Sequence, residues 1–174
     1  YRYAYSALWN TIVAVKPDDV SFLDWNLLQF VDSSLFSINI ENVSELYFES
    51  SEITETFKLS GSGDSLSVTP ASTGKAFDEF DLYNFKSFYR SLLMIELQDY
   101  TASKSTDNHV LSFTVKTSGG SSYTFDFYRY SARRCFYTIN GVGEFYVLSD
   151  SVEKAISDCV KVMNSQDVDS WAKN

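Results

Sequence analysis

Leu111-Ser112-Phe113-Thr114-Val115-Lys116-Thr117-Ser118-Gly119-Gly120-Ser121-Ser122-Tyr123-Thr124-Phe125-Asp126-Phe127 reads as two strands folded about a glycine turn. Apolar and polar residues alternate on both sides of the glycines, the period-2 pattern of a half-buried antiparallel pair. Burial decides the register. A two-residue loop at Gly119-Gly120 would pair Val115 with Thr124 and bury Asp126. A three-residue loop over Gly119, Gly120 and Ser121 pairs Val115 with Phe125 and Phe113 with Phe127, which keeps the apolar set on one face. The odd-numbered loop is the expectation.

Downstream, Asn140-Gly141 between Phe136–Ile139 and Val142–Leu148 is the strongest hairpin signal in the chain. A helix then opens at Ser149-Asp150, with Glu153 as capping-box partner of Asp150 and a stripe of Val152, Ala155, Ile156, Cys159, Val160 and Met163. Upstream, the spacing from Phe80 to Leu97 is helical, with Leu82, Phe85, Phe88, Tyr89, Leu92 and Ile95 on a broad face that calls for burial against a sheet. Before it come four candidate strands, Phe36–Ile40, Val43–Ser50, Ile53–Ser60 and Ser65–Thr69. The turn Gly61-Ser62-Gly63-Asp64 joins the last two, pairing Ser60 with Ser65, Leu59 with Leu66 and Phe57 with Val68. Pro70–Lys75 reads as a loop and Thr101–Asn108 as a polar linker.

At the start of the chain, Tyr1–Ser6 and Thr11–Val15 form a hairpin about Ala7–Asn10. Lys16-Pro17-Asp18-Asp19 then opens a helix bearing Val20, Leu23, Leu27, Leu28 and Val31, with Asp24 the place for a break. The fold class is α+β: antiparallel sheets built from hairpins, with about three helices packed on them.

The two ends of the chain echo one another. Tyr3-Ala4-Tyr5-Ser6, Thr11-Ile12-Val13-Ala14-Val15 and Pro17-Asp18-Asp19-Val20 follow the plan of Phe136-Tyr137-Thr138-Ile139, Glu144-Phe145-Tyr146-Val147 and Asp150-Ser151-Val152. The exits, Val31-Asp32-Ser33 and Val168-Asp169-Ser170, match as well. Residues 1–35 are therefore expected to be the tail of a preceding repeat, and 36–174 one complete α+β repeat, sharing one compact unit. The start at Tyr1, directly in strand-like sequence, gives the chain the look of a trimmed piece of a longer protein with another repeat upstream.

With 174 residues the chain is long enough to bury a core without staples. Acidic residues outnumber basic ones 23 to 14, for a formal charge of −9. A polyanion would dock against that field with no basic stripe to offset it, which disfavours nucleic acid and anionic lipid as partners. No apolar run approaches the ~18 residues of a membrane span, and no signal peptide is visible.

Catalytic templates fit poorly. His109 is the only histidine, and no Gly-x-Ser-x-Gly elbow accompanies it. One histidine with two distant cysteines does not make a zinc set, and no cofactor is called for. Cys135 and Cys159 read as buried free thiols or as a disulfide, the thiols being the plainer reading. Asp78-Glu79-Phe80-Asp81 and Asp167-Val168-Asp169 lack the loop of a calcium site, and Gly61-Ser62-Gly63-Asp64 lacks the features of a phosphate cradle. The one departure from the acidic background is Arg129, Arg133 and Arg134, interleaved with Tyr128, Tyr130 and Phe136. Guanidinium forks beside rings suit a carboxylate, a phosphate or an acidic partner loop. Tyr1, Tyr3 and Trp9 suggest a carbohydrate or small-ligand binding module, and the many acids a carboxylate-based hydrolase.

The helix Phe80-Asp81-Leu82-Tyr83-Asn84-Phe85-Lys86-Ser87-Phe88-Tyr89-Arg90-Ser91-Leu92-Leu93 and the run Phe22-Leu23-Asp24-Trp25-Asn26-Leu27-Leu28, leading into Leu35-Phe36-Ser37-Ile38-Asn39-Ile40 and Val43, carry a resemblance. With the Phe145-Tyr146-Val147 hairpin and its helix, they resemble the bacterial family known as domain of unknown function 4340, in its clostridia-like form. The resemblance implies an extracytoplasmic domain of repeated α+β units, in a parent anchored by an N-terminal membrane helix. It also implies an accessory role beside ABC-type export permeases and an envelope or transporter protein as partner. That family has no assigned catalytic residue. The expected function is thus a non-catalytic protein-interaction domain.

Overall fold

The computed structural model describes residues 1–25, 32–101, 105–143 and 145–168. The chain divides into two compact units, Tyr1–Asp32 and Ser33–Asn174, where one is expected. The α+β class holds.

In the first unit, β1 (Arg2–Ser6) pairs with β2 (Thr11–Val15) as an antiparallel hairpin, as the alternation predicts. The expected α-helix after it is instead a 3-10 helix over Pro17–Asp24, kinked at Val20, with Trp25 extended. Pro17 starts the turn, but none of the residues of that helix is buried, so nothing rewards the longer α-form. Leu27, Leu28 and Val31, the rest of the predicted stripe, lie outside the described residues.

The second unit is one eight-stranded antiparallel sheet in the order β5-β4-β3-β7-β8-β9-β10-β6. Its strands are β3 (Val43–Ser50), β4 (Thr54–Ser60), β5 (Ser67–Pro70), β6 (Leu97–Tyr100), β7 (His109–Thr117), β8 (Ser122–Arg129), β9 (Arg134–Ile139) and β10 (Phe145–Leu148). Helix α1 (Glu79–Leu93) carries the chain from the β5 edge to the β6 edge, and α2 (Ser149–Met163) follows β10. Asp78 caps α1 by accepting from the Asp81 N–H at 2.9 Å.

One sheet face is apolar. Leu46, Phe48, Phe57, Val68, Leu111, Phe113, Val115, Phe125 and Phe127 are all sealed from solvent. Helix α1 lowers Phe85 onto Phe57, with ring centroids 4.9 Å apart, and Phe88 onto Phe48 at 5.4 Å. Helix α2 adds Val152, Ala155, Ile156, Cys159 and Val162. The end of α2 meets the first half of α1, where Asn84 Oδ1 accepts from the Val168 N–H at 3.0 Å.

Registers follow the predicted parity but not the predicted pairs. Phe113 faces Phe125 and Val115 faces Tyr123, because the three-residue loop is Ser118–Gly120 rather than Gly119–Ser121. The Thr117 N–H closes it on the Ser121 carbonyl at 2.8 Å, and Gly120 supplies the left-handed φ of +87°. Likewise Ser60 pairs with Ser67 and Leu59 with Val68, two residues from the expected register, because a 3-10 turn at Gly63–Ser65 lengthens the loop. A shift of two leaves every side chain on its face; a shift of one would not. Asn140-Gly141 forms the expected tight turn, both residues at positive φ. A bulge follows it, where a Cβ on Gly143 would lie 1.9 Å from the Tyr137 carbonyl oxygen.

Three expectations need correction. Phe36–Ile40 is not a strand. Phe36 is drawn onto Phe125 (5.1 Å) and Phe113 (5.6 Å), and Tyr89 Oη donates to the Ile38 carbonyl at 2.7 Å, so the segment crosses the helix side of the sheet. Helix α1 stops at Leu93, and Leu97–Tyr100 becomes edge strand β6, paired with β10. The capping box of α2 does not form: the helix begins two residues early, at Ser149 with Leu148 rather than Asp150 at the N-cap, and Glu153 turns to Arg129.

Phe88 touches the rings of Phe48, Phe57 and Phe85 and is fully buried. Phe88→Ala is therefore expected to cost about 3–5 kcal/mol in urea unfolding, through lost burial and the cavity left behind.

Candidate functional site

The arginine–tyrosine cluster is contiguous in sequence but divided by the sheet. Successive strand residues point to opposite faces. Arg129 lies on the helix side, where its guanidinium pairs with Glu153 of α2 at 2.7 Å. That hydrogen bond raises the arginine pKa above its ordinary value. Tyr128, Tyr130 and Arg134 serve the other face. There Tyr130 packs on Tyr146 with centroids 4.7 Å apart, and the Arg134 guanidinium sits 5.7 Å over the Tyr146 ring and 3.7 Å from Asp99. Thr101 Oγ1 donates to Tyr146 Oη at 2.5 Å, and burial pushes the Tyr146 phenol up. Arg133 stands in the exposed turn between β8 and β9, its carbonyl accepting from the Ser149 N–H at 3.0 Å. The three forks do not converge on one ligand.

Strand register also assembles a row that the linear sequence conceals. Ser112, Asp126 and Thr138 stand side by side on β7, β8 and β9, with His109 at the end of β7. Ser112 Oγ donates to Asp126 Oδ1 at 2.8 Å, and His109 Nε2 is 4.0 Å from the same oxygen. Serine, carboxylate and histidine are thus together, but in the wrong order for nucleophilic catalysis. The carboxylate stands between the other two and itself accepts the serine proton, so the imidazole is not placed to take it. The charge of Asp126, after burial, raises the Tyr128 pKa.

Other acids are occupied structurally. Glu55, nearly buried, accepts the N–H groups of Thr56 (2.7 Å), Ala71 (3.0 Å) and Ser72 (3.3 Å) and the Ser72 hydroxyl, closing the turn after β5. Glu41 Oε1 accepts the Gly63 N–H at 2.8 Å, so a carboxylate occupies the glycine turn considered as a phosphate cradle. Among the described residues, no group of three or more His, Cys, Asp or Glu side chains is placed to hold a metal. No described helix is long and apolar enough to cross a membrane.

Cys135 and Cys159 are buried free thiols. Burial raises both pKa values, and for Cys159 the Glu55 and Asp158 charges add to it.

Each unit presents an open surface. In the first unit Tyr1 (83% exposed), Tyr3 (76%), Trp9 (73%) and Ile12 (68%) face solvent. In the second, a groove of about 590 Å³ runs between α1 and the irregular segment Ser34–Ile40. Phe36, Ile38, Ile40, Tyr89 and Leu93 make its apolar walls, and Lys86 and Arg90 stand beside them. Sequence reading missed the groove because it took one wall for a sheet strand. No known family, curated protein or solved structure matches this chain.

Both thiols are expected to resist a disulfide reagent such as DTNB at pH 8 in the folded chain, and both to react after unfolding. Their stabilising contribution is fully present below the unfolded thiol pKa of about 8.5. It is lost as pH rises from there through the raised folded values, since the unfolded chain gives up these protons first. Urea midpoints at pH 7 and pH 10 check the sign, the lower stability falling at pH 10.

Proposed function

We propose that the protein is a non-catalytic, extracytoplasmic interaction domain built from α+β repeats, whose first hairpin completes a sheet of the same plan as its own larger unit. The supporting observation is an unpartnered hairpin with the pairing register of a partnered one. Tyr3 faces Ala14 and Arg2 faces Val15; at the echoed positions Phe136 faces Tyr146 and Cys135 faces Val147. In the larger unit the β9–β10 hairpin is flanked by β8 and β6 and leads into α2. Among the described residues, strands β1 and β2 pair only with each other, and Tyr3, Tyr5 and Ile12 share an exposed face. An isolated two-stranded hairpin is at best marginally stable in water. A neighbouring sheet would supply what it lacks.

The partner of such an array, on the resemblance to the 4340 family, is an envelope protein, with an export-permease subunit the expected kind and a membrane anchor in the parent. The non-catalytic reading is supported by the order of the Ser112, Asp126 and His109 groups and by the structural engagement of Glu41 and Glu55.

The echo aligns Tyr1 with Arg134, so a fusion placing a second copy of residues 33–133 directly before Tyr1 supplies the missing sheet in the correct spacing. In that fusion the β1 and β2 amides should gain at least ~100-fold protection from hydrogen exchange, a gain of about 2.7 kcal/mol or more in local stability. The Tyr3→Ser/Ile12→Ser variant should lose it. Unchanged hairpin exchange in a folded fusion would dismiss the repeat reading.

A further inference from the structure

We infer that the groove between α1 and Ser34–Ile40 is a docking site for an extended peptide segment of a partner protein, one that carries carboxylates beside an apolar anchor. The inference rests on reading the protein as an interaction domain, but not on the repeat hairpin.

The argument begins with charge. Lys86 and Arg90 are spaced i,i+4 on α1, so their side chains are neighbours on one helix face. Like charges at that spacing oppose the helix by a few tenths of a kcal/mol. Arg90, in the last turn, gains from the helix dipole, whereas Lys86 lies outside it. In a chain of net charge −9, with 23 acids, some exposed cations away from the groove, Lys58, Lys75 and Arg133, also make no ion pair among the described residues, so what marks Lys86 and Arg90 is their shared place beside an apolar groove. Among the described residues, no ion pair or hydrogen bond engages the side chain of Lys86 or Arg90. By contrast Lys116, Arg129 and Lys154 are each matched to an acid within 2.8 Å.

The opposite wall adds shape. Phe36–Asn39 belongs to no strand or helix, and Asn39 has extended backbone angles. The carbonyls of Ile38 and Asn39 are taken by Tyr89 Oη and the Asn42 N–H, while among the described residues no hydrogen bond engages the Ser37 backbone N–H or carbonyl. An extended peptide has main-chain groups to offer Ser37, an apolar side chain for the space between Ile38 and Leu93, and acids for Lys86 and Arg90. A volume near 590 Å³ suits a short segment rather than a folded domain.

The test pans a phage-displayed random nonapeptide library on the full chain and measures the best sequence by fluorescence anisotropy. Enrichment of sequences with acids next to a large apolar residue is expected. Binding should weaken about tenfold or more in K86E/R90E, less in K86Q/R90Q, and fall with salt. Both residues are exposed, so thermal melts should show each variant folded. Absence of acidic enrichment, or equal affinity for K86E/R90E, would overturn the proposal. So would full competition by dodecanoate, which would make the groove a site for small amphiphilic carboxylates. The Tyr3→Ser/Ile12→Ser variant should bind as the parent does; loss there would move binding to the hairpin and sink the groove instead.

Discussion

Burial of one continuous aromatic face under α1 and α2 is the constraint on which the larger unit depends. Phe48, Phe57, Phe113, Phe125 and Phe127 arrive from β3, β4, β7 and β8, strands far apart in sequence. Antiparallel pairing brings them side by side, with Phe113 stacked 4.7 Å from Phe125. The face would be left to solvent unless something crossed it. Because β5 and β6 are opposite edges of the sheet, the connection between them must pass from one edge to the other. Helix α1 is that connection, and its Phe85 and Phe88 meet the rings beneath.

The same constraint disposes of the polar groups. Alternation sends Ser112, Thr114, Thr124, Asp126 and Thr138 to the outer face, where they bond to one another across strands. Where an acid falls on the inner face, it needs backbone donors. Glu55 alternates inward with Phe57 and survives because the turn after β5 offers it the Ala71 and Ser72 amides. The arginine-rich stretch is pulled apart for the same reason. Arg129 shares its face with Glu153 and Cys135, while Arg134 joins Tyr130 and Tyr146 on the other side.

Crossing elements also create the groove. Phe36 anchors on Phe113 and Phe125 instead of extending a strand, and Tyr89 fastens the following carbonyl. The irregular wall and the cationic stretch of α1 then stand on either side of an apolar floor. The hairpin of the first unit lacks such covering, though its register repeats that of β9 and β10.

Periodicity in the sequence determined the α+β class, the two long helices, the β1–β2 hairpin, the Asn140-Gly141 turn and the side of the sheet each apolar residue faces. These are local properties, since a two-residue slip leaves facing unchanged and a helical stripe needs no partner to be visible. Tertiary structure decided what local pattern leaves degenerate: the loop lengths that move Phe113 onto Phe125, the end of α1 at Leu93, and the capture of Phe36 away from a strand. It also chose Arg129 over Asp150 as the partner of Glu153, because a guanidinium brought in by a distant strand offers a stronger bond than a local cap. The candidate groove belongs to this second class. Lys86 and Arg90 are plain in the sequence, but only the packed chain shows an apolar wall opposite them and, among the described residues, no ion pair to either.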